Sequence, residues 1–354
     1  MAGTIVSVQS GVTNTLMGHY HLPLVSMLEQ RAGVDEEKLL SKALFAERSY
    51  INRTAVAYGG TTAVGEMEPI ADNGEPSVTD YRELEPTHLF YKKFANEIVI
   101  TDDMLEKGNY DEAARAVRGL SSAYYTTLAK FQEAFYIHAV MGHTSFTNGI
   151  HSYDTTVGDG LPLFAKNHPS RVDAGLPTQS NRFTNAATQG GIETVVTAMQ
   201  NFTGDTENIL NVAPQTIIIP NDAKIKRQIF TALGSVGLLE SNGNAWNYNL
   251  GSYNIVVLRY AAQELRRLGW TGDMPYVIVD TEMLENLDAA VFGNFKPHKV
   301  TVTPDARHER TIYTSRAQFN ARFNLWQAFA VGGVPDGTTL EEPTIVPVAV
   351  KMYA

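Results

Sequence analysis

The chain has 354 residues, of which 44% are hydrophobic and 19% charged, enough apolar side chain for a packed core and too much for a disordered or mucin-like chain. Lys+Arg number 28 against 38 Asp+Glu, a formal net charge of −10, opposite in sign to a protein that grips nucleic acid through its phosphates. With no cysteine at all, disulfides, zinc–thiolate sites and thiol nucleophiles are excluded.

The first 30 residues lack a basic stretch followed by an apolar one, and no run of 18 apolar residues occurs. The sequence therefore predicts neither a secretory signal nor a membrane span, and a chain made and kept in a reducing cytosol. Residues 1–22 are polar and rich in Gly and Thr, which predicts an extended arm. From Pro23 to Ser49 the apolar residues Leu24, Leu28, Leu39, Leu40, Ala43 and Leu44 keep helical spacing. Gly33 splits that helix, and Asp35 caps its second piece.

Residues 52–98 have a different character. Thr54–Tyr58 and Leu84–Thr101 predict strands, and Asp72-Asn-Gly-Glu-Pro76 between them predicts a reverse turn. This long hairpin is lopsided in charge: Glu66, Glu68, Asp72, Glu75, Asp80, Glu83 and Glu85 face the single base Arg82. A hairpin so long and polar has little core of its own, so it is either a solvated flap or lies on a partner.

A long helix follows over Tyr110–Met141, with Asn109 and Glu112 spaced as a capping box. Ala113, Val117, Leu120, Tyr124, Leu128, Phe131 and Phe135 make one apolar stripe at steps of three or four. Thr144–Asn185 is loop-rich. Helices over Gly191–Thr203 and Asn221–Leu233 then alternate with buried strands at Gln215–Ile219, Asn254–Leu258 and Tyr276–Asp280, and a short helix runs from Thr281 to Leu287. Strand segments at Lys299–Thr303, Thr311–Thr314 and Ala321–Val331, a turn at Val334–Gly337 and an apolar strand over Thr344–Ala354 complete the chain.

Catalytic patterns are scarce. Gly59, Gly60 and Gly65 lack the lysine of a phosphate loop, and Gly234-Ser-Val-Gly237 follows a helix where a nucleophile elbow follows a strand. His138, His143 and His151 gather around the end of the long helix without a carboxylate at metal-ligand spacing, so His138 reads as a packing residue and His143 as a helix-end residue favoured by the dipole. His19 and His21 sit in the arm. No cofactor, metal or catalytic set is predicted. The basic, aromatic stretch Arg307–Arg322 is diluted by Asp305 and Glu309. A long arm, an acidic hairpin and a very long helix suit contacts with copies of the same chain.

Three segments carry a resemblance. Gly158-Asp-Gly-Leu-Pro-Leu-Phe-Ala-Lys-Asn-His-Pro169 resembles the D-G-x-x-L-F-x-x-x-H-P stretch of tailed-bacteriophage major head subunits of the Mu-like branch. Pro214–Ala223 is similar to that family's P-x-x-L-V-V-P-P-x-L strand and following helix, with Asn221 where a second proline is common. Glu97–Leu105 is similar to its I-x-I-T-x-E-x-L segment. The resemblance covers roughly residues 50–330. It implies an α+β Hong Kong 97-type capsid fold: an N-terminal arm over 1–48, an extended E-loop over 49–98, a peripheral domain with its spine helix over 99–185, an axial domain over 186–295, and peripheral return strands over 296–354.

It also implies a structural, non-enzymatic subunit that forms pentamers and hexamers of a virion head around double-stranded DNA contacted non-specifically. The partners it implies are copies of the chain together with portal, scaffolding and decoration proteins, assembled in the host cytoplasm and without a membrane. Some members cross-link a hairpin lysine to an asparagine, but this chain has no lysine between Arg53 and Tyr91. The seven hairpin acids are expected to meet bases on a neighbour, with Arg115, Arg118, Arg307 and Arg310 as candidates. An encapsulin-like compartment, which would copurify with a cargo enzyme and no DNA, and a soluble α/β enzyme with a lid, which would stay a small oligomer, are the competing readings.

Overall fold

The computed structural model describes residues 5–8, 27, 41–59, 70, 72, 86–107, 109–173, 175–205, 209–234 and 249–335. Most of the arm, most of the hairpin beyond its base and the strand expected over Thr344–Ala354 lie outside the described residues.

Strand β1 (Ile5–Val8) runs parallel to Lys299–Val302, so this part of the arm is extended as expected. Helix α1 (Ser41–Leu44) is one turn, and β2 (Ala46–Ser49) follows it at once, parallel to Val291–Asn294. The helix expected to reach Ser49 therefore stops at Leu44. Phe45 stacks on Phe323 with ring centroids 5.8 Å apart, and burying that ring while gaining a strand ladder outweighs local helical spacing.

Strands β3 (Ala55–Tyr58) and β4 (Thr87–Phe90) form the antiparallel base of the hairpin. Strand β5 (Lys92–Thr101) does not prolong it, and pairs instead with Arg310–Phe319. The expected strand over 84–101 is thus broken at Tyr91, because Phe94 and Ile100 bury beneath the long helix.

After α2 (Asp102–Glu106) comes α3 (Tyr110–Met141), with the limits the sequence predicts. Its 32 residues span roughly 48 Å at about 1.5 Å per residue. The expected capping box does not form: the Asn109 side chain caps nothing, and its carbonyl accepts from the Glu112 and Ala113 amides. At the far end Gly142 takes a left-handed conformation (φ +80°), donating to Ala139 while His143 donates to the His138 carbonyl.

Strands β6 (Ser145–Asn148) and β7 (His151–Asp154) make a short hairpin around Gly149 (φ +62°), inside the segment read as loop. Helix α4 (Gln189–Gln200) starts where Thr188 Oγ1 accepts the Gly191 amide. Next come β8 (Thr216–Pro220), α5 (Ala223–Gly234), β9 (Asn254–Leu258), α6 (Ala261–Arg267), β10 (Tyr276–Val279) and α7 (Thr281–Asn286). The chain closes with β11 (Ala290–Asp305), β12 (Arg310–Phe323) and β13 (Phe329–Gly332).

Two sheets organise these elements. The first, called peripheral after the domain the resemblance implies, has the order β1-β11-β12-β5, with β2 also on β11; the second, called axial on the same ground, has the order β13-β10-β8-β9. Of the strands beyond residue 290, β11 and β12 lie in the first sheet, and β13 pairs with β10 in the second. Tyr276 explains the neighbour it takes. A Cβ on Gly332 would stand 2.2 Å from the Tyr276 ring, so only glycine lets β13 close on β10.

The N-terminal half of α3 covers Ile100, Val300, Val302 and Tyr313 of the peripheral sheet. Its C-terminal half enters an aromatic cluster in which Phe94 stacks on Phe319 at 4.2 Å and Phe131 meets Phe319 at 5.1 Å and Phe135 at 5.2 Å. Replacing Phe131 by alanine is expected to cost about 3–5 kcal/mol, read as a lower urea midpoint of the unassembled subunit. An unchanged midpoint would mean the helix is not anchored there.

Candidate assembly surfaces

The spine helix α3 is tied to the axial unit by one buried carboxylate. Glu133 accepts from the Arg259 amide at 2.9 Å and the Tyr260 amide at 2.7 Å, at the start of α6. Burial pushes its carboxyl above the usual range, opposed by those amide hydrogen bonds. Lys130 sits over the Tyr260 ring at 5.2 Å and reinforces the same junction.

A second polar node explains the Asp-Gly…His-Pro motif. His168 Nδ1 lies 2.6 Å from Asp159 Oδ2, with both side chains essentially unexposed, and Trp326 stacks on the imidazole at 4.4 Å. His168 Nε2 faces Asn181 Oδ1 at 3.3 Å. The Asn181 amide nitrogen donates to the carbonyls of Leu163 (2.7 Å) and Phe329 (3.2 Å). This pins the irregular 159–182 segment to β13. An Asp–His pair also orients bases in hydrolases, but here the far nitrogen meets an asparagine oxygen, so the arrangement holds a loop in place. The motif was legible as a resemblance; its pairing was not, because nothing in the spacing points to Asn181 or Trp326.

The histidines at the end of α3 pack as expected for His138, whose ring stacks on Phe146 at 4.5 Å with its Nδ1 2.8 Å from that of His143. His143 stands just past the end of the helix, as expected, with its amide donating to the His138 carbonyl and its side chain buried. Among the described residues no group of three or more His, Asp and Glu is placed to hold a metal ion. A cavity of about 320 Å³ lined by Ser170, Leu176, Pro177, Gln179, Thr203 and Gly204 offers no acid or base, and Ser170 Oγ is engaged with the Asp205 carbonyl.

Of the expected contact residues, Asp72 is exposed at a turn, while Glu66, Glu68, Glu75, Asp80, Glu83 and Glu85 lie outside the described residues. Arg115 and Arg118 are exposed on α3; Asp111 and Glu112 on the same helix and Asp102, Asp103 and Glu106 on α2 precede them in sequence, and Lys107 pairs with Asp103. Arg310 Nε donates to Asp305 Oδ2 at 2.8 Å, beside His308 at 2.9 Å on the same oxygen. Arg307 is exposed at the tip between β11 and β12.

The peripheral sheet carries a surface the sequence reading missed. Opposite the face that packs on α3, the cross-strand rows are Lys296–Gln318–Lys93, Lys299–Arg316–Ala95 and Thr301–Thr314–Glu97. Lys93, Lys296, Lys299 and Arg316 are all exposed, with Glu97 the single acid in these rows. The signal was present as period-two alternation, but the four bases come from three separate segments.

No family model and no curated protein sequence matches the chain. Solved structures do. The capsid of the cyanophage P-SCSP1u is 10% identical, covering 82% of this chain and 86% of that chain with a TM-score of 0.50. A structure from Mycobacterium phage Patience is 9% identical, covering 94% and 92% with a TM-score of 0.47. A virus-like particle from Pyrococcus furiosus is 8% identical, covering 88% and 97% with a TM-score of 0.44. Arm strand, hairpin base, spine helix, peripheral sheet and axial sheet together make this a Hong Kong 97-type capsid fold.

Two outcomes follow from the buried groups. Replacing His168 by alanine leaves Asp159 Oδ2 buried without that partner, so stability should fall on the order of 1–3 kcal/mol and proteolysis should speed up within 159–182. Cleavage there at the parent rate would contradict the pinning. Burial also lowers His138 and His298 to about 4, against about 6.5 in an unfolded chain. Between those values the unfolded chain binds more protons, so stability present above pH 6.5 is lost as pH falls toward 4. Glu133, shifted upward, acts in the opposite sense. The urea midpoint of His138→Phe should therefore fall less steeply with acidification than the parent's; equal slopes would refute the assignment.

Proposed function

We propose that the chain is a major capsid protein that self-assembles as pentamers and hexamers into a closed head around double-stranded DNA. The observation that carries this reading is the capsid fold with its extended pieces, the arm strand and the hairpin base, attached at the margins of the peripheral sheet. Such pieces bury little within one subunit and suit repeated contacts between copies. The role is structural rather than enzymatic. Portal, scaffolding and decoration proteins are the partners this role implies, and the virion, assembled in the host cytoplasm, is its place. The Mu-like branch rests on the three motifs alone.

Within this reading the acidic segment 66–85 lies across a neighbouring copy and contacts bases there. A net charge of −10 suits a container whose wall must not hold its DNA tightly. Negative-stain electron microscopy with light scattering on the purified chain tests the role: shells, or rings of five and six, are expected. A small oligomer that never assembles, even with its neighbouring head proteins coexpressed, would return the chain to the enzyme reading, and shells that copurify with a cargo enzyme and no DNA would make it a compartment. Replacing Glu83 and Glu85 by lysine should lower the melting temperature of assembled shells at about 0.1 M salt and less at about 1 M, where screening shortens from about 10 Å to about 3 Å.

A further inference from the structure

We infer that the cationic outer face of the peripheral sheet, formed by Lys93, Lys296, Lys299 and Arg316, is the seat of the acidic segment 66–85 of a second copy. The inference rests on the capsid reading and names the receiving surface that reading leaves open.

Three observations favour this face. It is the one place in the described peripheral sheet where bases stand together on one side without an ion pair: none of the four takes part in a salt bridge among the described residues, although Lys93 Nζ lies over the Tyr91 ring at 5.8 Å. The other candidate bases stand beside acids or singly, Arg307 being a lone exposed base at the tip between β11 and β12. Arg310 is held by Asp305, and Arg115 and Arg118 follow Asp111 and Glu112 at the start of α3 and Asp102, Asp103 and Glu106 in α2, acids that would repel an acidic segment.

The geometry matches as well. Neighbouring strands lie about 4.8 Å apart and alternate residues on a strand about 6.8 Å apart, so the two basic rows present four charges over a patch about 10 Å wide. The sequence of the segment supplies acids at that same interval of two, Glu66 with Glu68 and Glu83 with Glu85. An extended chain shows residues so spaced on one side. The tyrosine and phenylalanine packing at the hairpin base, Tyr50 on Phe295 at 5.6 Å and Tyr91 on Phe295 at 6.2 Å, roots the segment beside the start of its own basic rows, so every copy carries both halves of the contact and a ring can close.

The test is a charge swap read by assembly. Lys299→Glu with Arg316→Glu, and separately Glu83→Lys with Glu85→Lys, should each raise the critical concentration for assembly about three- to tenfold at about 0.1 M salt, the scale of one or two exposed ion pairs per subunit. The four-fold variant combining both should recover most of that loss. Lys299→Gln with Arg316→Gln gives a milder version of the first pair, and thermal unfolding of the unassembled subunits shows that each variant folds.

Parent shells together with reversals that assemble like the parent, or a combined variant with no recovery, would overturn this inference and leave the capsid reading standing. Reversals that assemble normally but lose DNA from the particles would assign the face to polyanion contact and equally overturn it. A parent that forms neither shells nor rings would bring down both.

Discussion

The apolar stripe of α3 has one surface long enough to cover it, and the rest of the subunit is arranged around that fact. Thirty-two helical residues span roughly 48 Å, and the 16 residues of β11 span about 53 Å at about 3.3 Å each, so helix and strand match in length. A helix of this length left half uncovered would expose a row of Phe, Leu and Val side chains to water. Instead, its first half lies on Val300, Val302 and Tyr313, and its second on Phe94 and Phe319 near the other end of the same sheet.

That requirement accounts for several departures from local pattern. β5 leaves the hairpin because the sheet needs a third strand beneath the helix, and β2 replaces the end of a helix because Phe45 belongs in the aromatic cluster. The axial unit is held to the same helix through Glu133 and the Arg259 and Tyr260 amides just before α6, and the motif loop is held to β13 through Asn181. Polar groups thus make the joints and aromatic rings the body of the subunit. Buried polar joints of this kind are stabilising only while every partner is present, which makes them specific positions in an otherwise apolar core.

Charge is divided as sharply as polarity. A net charge of −10 hides an acidic stretch of sequence over 66–85 and a basic sheet face, opposite signs on one chain. Opposite charges on identical subunits suit a closed ring, in which each can meet its complement on a neighbour.

The sequence by itself determined the elements whose signal is periodic and local: α3 to the residue, β9, and the strand–helix alternation of the axial unit, because a 3.6-residue stripe or a run of buried β-branched residues needs no partner to be recognised. It also carried the fold, through three short motifs in the right order. Only the tertiary structure decided where strands end and whom they pair with: that Leu84–Thr101 is two strands, that β11 and β12 are long, that β13 serves the axial sheet, and that α6 exists at all. It also decided that Asp159, His168 and Asn181 meet and that four bases from three segments share one face. Strand pairing and surface charge depend on residues brought together from distant parts of the chain, and no local pattern of spacing encodes which distant segment will be the neighbour.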